Sequence, residues 1–114
     1  MWIDTPSANA TTSQNISMSG WAIDLAASTG TGVDTVHVWA YPSTGAAPLF
    51  VGIASYGTVQ RGDVAAYFGV SRVTPSGFTV SGTLPPGSYN VVAFAHSTVT
   101  NTFNCAMQVP ISVR

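Results

Sequence analysis

Few side chains in this protein can do chemistry. The acids are Asp4, Asp24, Asp34 and Asp63, the bases Arg61, Arg72 and Arg114, and lysine and glutamate are absent from all 114 residues. Hydrolysis by paired carboxylates needs two acids flanking one bond, and these four lie on widely separated segments. Asp24 and Asp34 bracket residues 25–32 and approach each other at one end of the fold if their flanks are strands. Turn and capping roles suit them better than a calcium site, which wants six or more oxygens. Nucleophile elbows, P-loops and H-E-x-x-H zinc helices are missing. The expectation is a protein that is not an enzyme and uses no cofactor.

A single cysteine, Cys105, excludes an internal disulfide framework. Within Phe103-Asn104-Cys105-Ala106-Met107 it reads as a buried, inert thiol. Arg61-Gly62-Asp63 spells a tripeptide associated with integrin adhesion, yet Asp63 is better explained as a helix cap that accepts the free N–H groups at the helix start. His37, His96 and the aromatic residues around them are the more informative group. Their meaning depends on the strands that carry them.

Trp2–Thr5 predicts a first strand ended by Pro6, and residues 7–13 a polar loop. Asn15–Asp24 predicts a second strand with Gly20 at a bulge or close approach, followed by a flexible connection over 25–32. Val33–Tyr41 alternates most clearly: Val36, Val38 and Ala40 face one way, His37, Trp39 and Tyr41 the other. After a turn at 42–48, Leu49–Tyr56 predicts one further strand. The period then changes, and Asp63–Gly69 predicts one or two helical turns closed by a left-handed Gly69. Ser76–Leu84, Ser88–His96 and Thr102–Val113 supply the last three strands, with Pro110 at an edge or bulge. About seven short antiparallel strands joined by Gly, Pro and Ser turns predict an all-β, immunoglobulin-like two-sheet sandwich with one short helix.

Leu84-Pro85-Pro86-Gly87-Ser88-Tyr89 has the spacing of a tyrosine corner, in which Tyr89 turns inward and its hydroxyl bonds back to nearby backbone. That parity puts Val91, Ala93 and Ala95 inside, and Phe94 and His96 outside. His37, Trp39, Tyr41, Phe94 and His96 then share one outer face. Two imidazoles alone do not complete a metal site, which needs a third or fourth ligand, so no metal is expected. An exposed aromatic stripe is costly in water. Either loops and the short helix cover it, or it meets a sugar, a neighbouring module or another copy of the chain.

Composition narrows the partners. Only 6% of residues are charged and the net charge is −1, against roughly 25% charged in an ordinary domain. Three scattered arginines cannot neutralise a phosphate backbone, which excludes nucleic acid. The longest apolar run, Val91–Ala95, is far short of the roughly 20 residues of a membrane-spanning helix, so no membrane insertion is expected. Fourteen valines and fourteen threonines against three leucines favour strands over helices. So little charge also leaves little repulsion between molecules, which favours homo-association. One domain over residues 1–114 is expected, and its abrupt strand-like start suggests a module cut from something longer.

Gly20-Trp21-Ala22-Ile23-Asp24, then Gly32-Val33-Asp34-Thr35-Val36-His37-Val38-Trp39, Gly52-Ile53-Ala54-Ser55-Tyr56-Gly57, Arg61-Gly62-Asp63-Val64 and Ser76-Gly77-Phe78 follow one another in order. The set, from about Ile16 to Val113, resembles bacterial immunoglobulin-like modules that occur, often in tandem, in large secreted, cell-wall or surface proteins. The resemblance implies a non-catalytic extracellular or cell-surface module acting as spacer or adhesion element. Its partners would be neighbouring modules or a cell-surface protein or glycan. A carbohydrate-binding accessory domain that stacks sugars on Trp39, Tyr41 and Phe94 is the alternative. The family pattern has proline between the arginine and aspartate where this chain has Gly62, a change that should loosen the start of the short helix.

Overall fold

Alternating apolar residues decide most of the strands. In the computed structural model, which covers residues 1–114, these are β1 (Trp2–Thr5), β2 (Ala10–Thr12), β3 (Asn15–Trp21), β4 (Val33–Pro42), β5 (Leu49–Ile53), β6 (Ser55–Val59), β7 (Gly77–Thr83), β8 (Gly87–Ser97) and β9 (Thr102–Val113). They form a four-stranded sheet in the order β1-β3-β7-β6 and a five-stranded sheet in the order β2-β9-β8-β4-β5. This is the strand order of an immunoglobulin sandwich, its first strand divided between the two sheets. The inward residues Met18, Val36, Val38, Phe78, Val80, Val91, Ala93, Val109 and Ile111 belong to one buried cluster, each large aliphatic side chain contributing about 1.5–3 kcal/mol.

Nine strands replace the seven expected, for two reasons. The segment 7–13, expected to be a loop, contains β2, which pairs in parallel with β9 through Ala10↔Ile111 and Thr12↔Val113. The pairing extends at both ends, Asn9 N–H donating to Pro110 O at 2.7 Å and Arg114 N–H to Thr12 O at 3.0 Å. The segment Leu49–Tyr56 is two strands rather than one. β5 pairs with β4 and β6 with β7, and the chain crosses between sheets at buried Ala54, whose N–H donates to Val36 O at 2.8 Å.

Two local expectations hold. Tyr89 is buried and its hydroxyl donates to Pro85 O at 2.7 Å, closing the tyrosine corner. Gly20 is a close approach: a Cβ there would lie 2.1 Å from the Trp2 carbonyl oxygen, so only glycine lets β1 dock on β3.

The helix α1 (Gly62–Phe68) ends at Gly69, which is left-handed at φ 67°. Its start corrects the role assigned to Asp63. The N-cap is Arg61, with no side-chain cap bond, and Asp63 lies inside the first turn. The carboxylate is turned aside because both of its oxygens accept from the Arg61 guanidinium, at 2.9 and 2.8 Å.

Gly62 is the first helical residue, where proline is favoured because the N–H has no intrahelical acceptor. Nothing stands within 4 Å of a Cβ built at Gly62, and Arg61 at φ −114° is outside the helical region that a following proline disfavours. Gly62→Pro is therefore expected to raise stability by about 0.4–1 kcal/mol, read as a higher urea midpoint. A lower midpoint would show that the helix start tolerates no added rigidity.

The two ends of the chain lie far apart. Trp2 pairs with Trp21 at the end of β3 that leads to β4, whereas Val113 lies beside Thr12 and Gly87 at the opposite end. The long strands β8 and β9 run between these ends, and the Cα extents of the molecule are 42 × 26 × 18 Å.

Candidate functional site

The outer face of the five-stranded sheet gathers the aromatic residues. Along β4 the pattern is strict, with Val36, Val38 and Ala40 fully buried and His37, Trp39 and Tyr41 facing out. In the β4–β8 ladder His37 stands opposite Phe94 and Trp39 opposite Val92, while His96 pairs with Thr35. His37, Trp39, Phe94 and His96 are half-buried, and Tyr41 is exposed.

Two bulges bring in residues that alternation alone does not assign to this face. Between β4 and β5 the register steps from Val38↔Gly52 to Trp39↔Phe50. The extra residue, Val51, packs toward the core, and Phe50 stands beside Trp39. Between β8 and β9 the register steps from Ala95↔Cys105 to Ser97↔Thr102, which sets Phe103 and Asn104 against His96. A bulge reverses the facing of the residues beyond it. Phe103 thus turns outward although Cys105 and Met107, two and four residues on, pack against the core.

The result is a continuous run of rings. Trp39 meets Phe50 at 4.9 Å between centroids, Phe50 meets His37 at 5.9 Å, His37 meets Phe103 at 4.8 Å, and Phe103 meets His96 at 5.0 Å. Phe94 lies on the face but outside this run. Phe103 stands between the two imidazoles, and no group of three metal-ligating side chains gathers anywhere in the chain.

No protein-family model matches this chain, and no curated protein does. Its own geometry is what speaks for its function.

Neither the loops nor α1 covers the ring run. The helix packs at one end of the other sheet, where Phe68 meets Trp21 edge-to-face at 5.8 Å. Phe50 and Phe103 remain 48% and 43% exposed. Cys105 is half-buried rather than fully buried.

Polar groups organise the end of the sandwich where the chain starts. Asp24 and Asp34 do approach one region, but each has its own partner: Ser97 Oγ–H donates to Asp24 Oδ2 at 2.6 Å, and His96 Nδ1 lies 2.7 Å from Asp34 Oδ1. The hydroxyl bond from Ser97 and the backbone N–H of Ala26 hold the Asp24 carboxyl below its usual range. Side chains from elsewhere in the fold reach the 25–32 connection and its flank. Tyr56 O–H donates to Ala22 O at 2.7 Å and lies 2.8 Å from Thr31 Oγ1, and burial pushes its phenol up to about 12. The Arg72 guanidinium reaches the carbonyls of Gly30 and Leu25, each at 3.3 Å.

The Arg61-Gly62-Asp63 tripeptide is engaged within the molecule. Arg61 holds Asp63 through two nitrogens and reaches Asp4 Oδ2 at 2.6 Å through the third, so its guanidinium is not free to meet a receptor carboxylate. The guanidinium holds the Asp63 carboxyl at about 2, below its ordinary 3.8. A lowered folded-state value stabilises the fold above the ordinary value, and the contribution is lost as pH falls from about 4 through about 2. In Arg61→Met, carboxyl NMR titration is expected to return Asp63 to near its ordinary value. An unchanged titration would remove the guanidinium as the cause.

Proposed function

We propose that this chain is a non-catalytic spacer and contact module of an extracellular or cell-surface bacterial protein. The observation that carries the reading is the placement of Trp2 and Val113 at opposite ends of a 42 Å long sandwich. A module threaded in this way adds its full length to a chain, while its aromatic sheet face lies along the flank, free for sideways contact. The near absence of charge and the uncovered rings support such contact with a neighbouring module or a second copy. No helix is long and apolar enough to cross a membrane.

Sugar stacking on the same sheet face is less well supported. Successive rings in the run are inclined to each other by 56°, 73°, 47° and 66°. Rings packed edge against face cover one another and present no level platform to a pyranose chain.

Small-angle scattering of two copies joined end to end tests the spacer role. The expected particle is close to twice as long as one domain. A folded-back pair hardly longer than one domain would overturn it.

A further inference from the structure

A second aromatic surface lies away from the sheet face, where α1 flanks β1 and the end of β3. The groove there holds about 630 Å³ and is lined by Met1, Trp2, Trp21, Asp63, Val64, Tyr67 and Phe68, a volume within the range of small-ligand clefts. Val64 is buried and Trp21 and Phe68 are half-buried against each other, which makes them the floor. Trp2 and Tyr67 are different: they are 52% and 83% exposed. Trp2 has no ring partner, and Tyr67 meets only Phe68, at 4.9 Å and 82°. Two largely exposed rings, each with a polar tip, therefore stand at the groove.

Asp63 is the one charged side chain lining the groove. Its position is fixed by the two bonds from Arg61, and its side chain remains 68% exposed. A carboxylate offers about four lone-pair sites, so it retains acceptor capacity toward the groove. The adjacent guanidinium offsets its charge, and Met1, which also lines the groove, has an α-amino group whose charged form burial disfavours.

We infer that this groove binds a neutral oligosaccharide, with Trp2 and Tyr67 stacking on pyranose faces and Asp63 accepting a hydrogen bond from a sugar hydroxyl. Such a ligand has both chemistries in one small unit, apolar C–H faces beside hydroxyl donors. The site uses none of the sheet-face residues.

Affinity electrophoresis of the whole chain through hydroxyethylcellulose, xyloglucan, galactomannan, laminarin and glycol chitin tests it, with Tyr67→Ala and Trp39→Ala run alongside. Tyr67 is so exposed that its truncation leaves the fold intact. The expected result is retardation by at least one polymer, weakened about tenfold or more in Tyr67→Ala and unchanged in Trp39→Ala. Free passage through all five polymers overturns the inference. So does retardation that survives Tyr67→Ala.

Discussion

Replacing Phe78 with alanine is expected to remove about 3–5 kcal/mol of stability, a large share of the roughly 5–15 kcal/mol that holds a domain together. Phe78 is fully buried. It pairs with Gly20 on β3 and with Tyr56 on β6, so it sits in the middle of the four-stranded sheet and faces the other sheet across the core. Gly20 has no side chain, and β1 crowds its backbone so closely that none fits. Its direct partner on β3 therefore has no side chain to fill the vacated volume, and a cavity that collapses poorly is the costly kind. Urea unfolding of Phe78→Ala measures the effect. A loss below about 1.5 kcal/mol, typical of well-tolerated core swaps, would mean that the sheets close over the gap.

The second large effect concerns association rather than folding. Phe50 is nearly half exposed and touches both Trp39 and His37, which places it within the ring run. If the sheet face contacts a second copy, Phe50→Asp puts a charge at the centre of that contact. Losing an aromatic anchor there costs about 2 kcal/mol or more, or roughly 30-fold in the dissociation constant. Sedimentation equilibrium over a range of concentrations reads both species. A wild-type chain that stays monomeric at about 1 mM, the weak limit of meaningful affinity, would rule out self-contact and leave only unlike partners for this face.

How much of this was legible in the sequence depends on the range of the forces involved. Val36, Val38 and Ala40 alternate with His37, Trp39 and Tyr41, so strand β4 and its two faces could be read directly. Tyr89 and its proline turn, and Gly69 after the helix, are equally local. β2 carries no such signal, because Ala10-Thr11-Thr12 is a strand only by virtue of backbone bonds to β9, about a hundred residues away in sequence. Phe50 and Phe103 join the ring run through bulges, and a bulge is a property of two strands together that neither strand's alternation records. Asp63 had the composition of a cap, but its partner Arg61 also reaches Asp4, 57 residues distant. The groove under α1 was missed for the same reason. Trp2, Trp21 and Tyr67 belong to three separate segments and meet only when β1 docks on β3 and the helix folds over their end.

The short parallel pairing of β2 with β9 bears on what happens when the molecule is stretched. Force applied at Met1 and Arg114 acts along the strand direction and drags β2 and β9 past each other. The bonds between them, including Asn9 N–H to Pro110 O and Arg114 N–H to Thr12 O, lie across that pull and are strained together rather than one after another. A zipper opened from one end yields at low force, whereas a lap joint of this kind resists until all its bonds fail at once. Single-molecule pulling on a chain of repeated copies is expected to show one abrupt rupture per copy, and a gradual, low-force lengthening would contradict it. Three residues with no apolar alternation would then act as a mechanical latch.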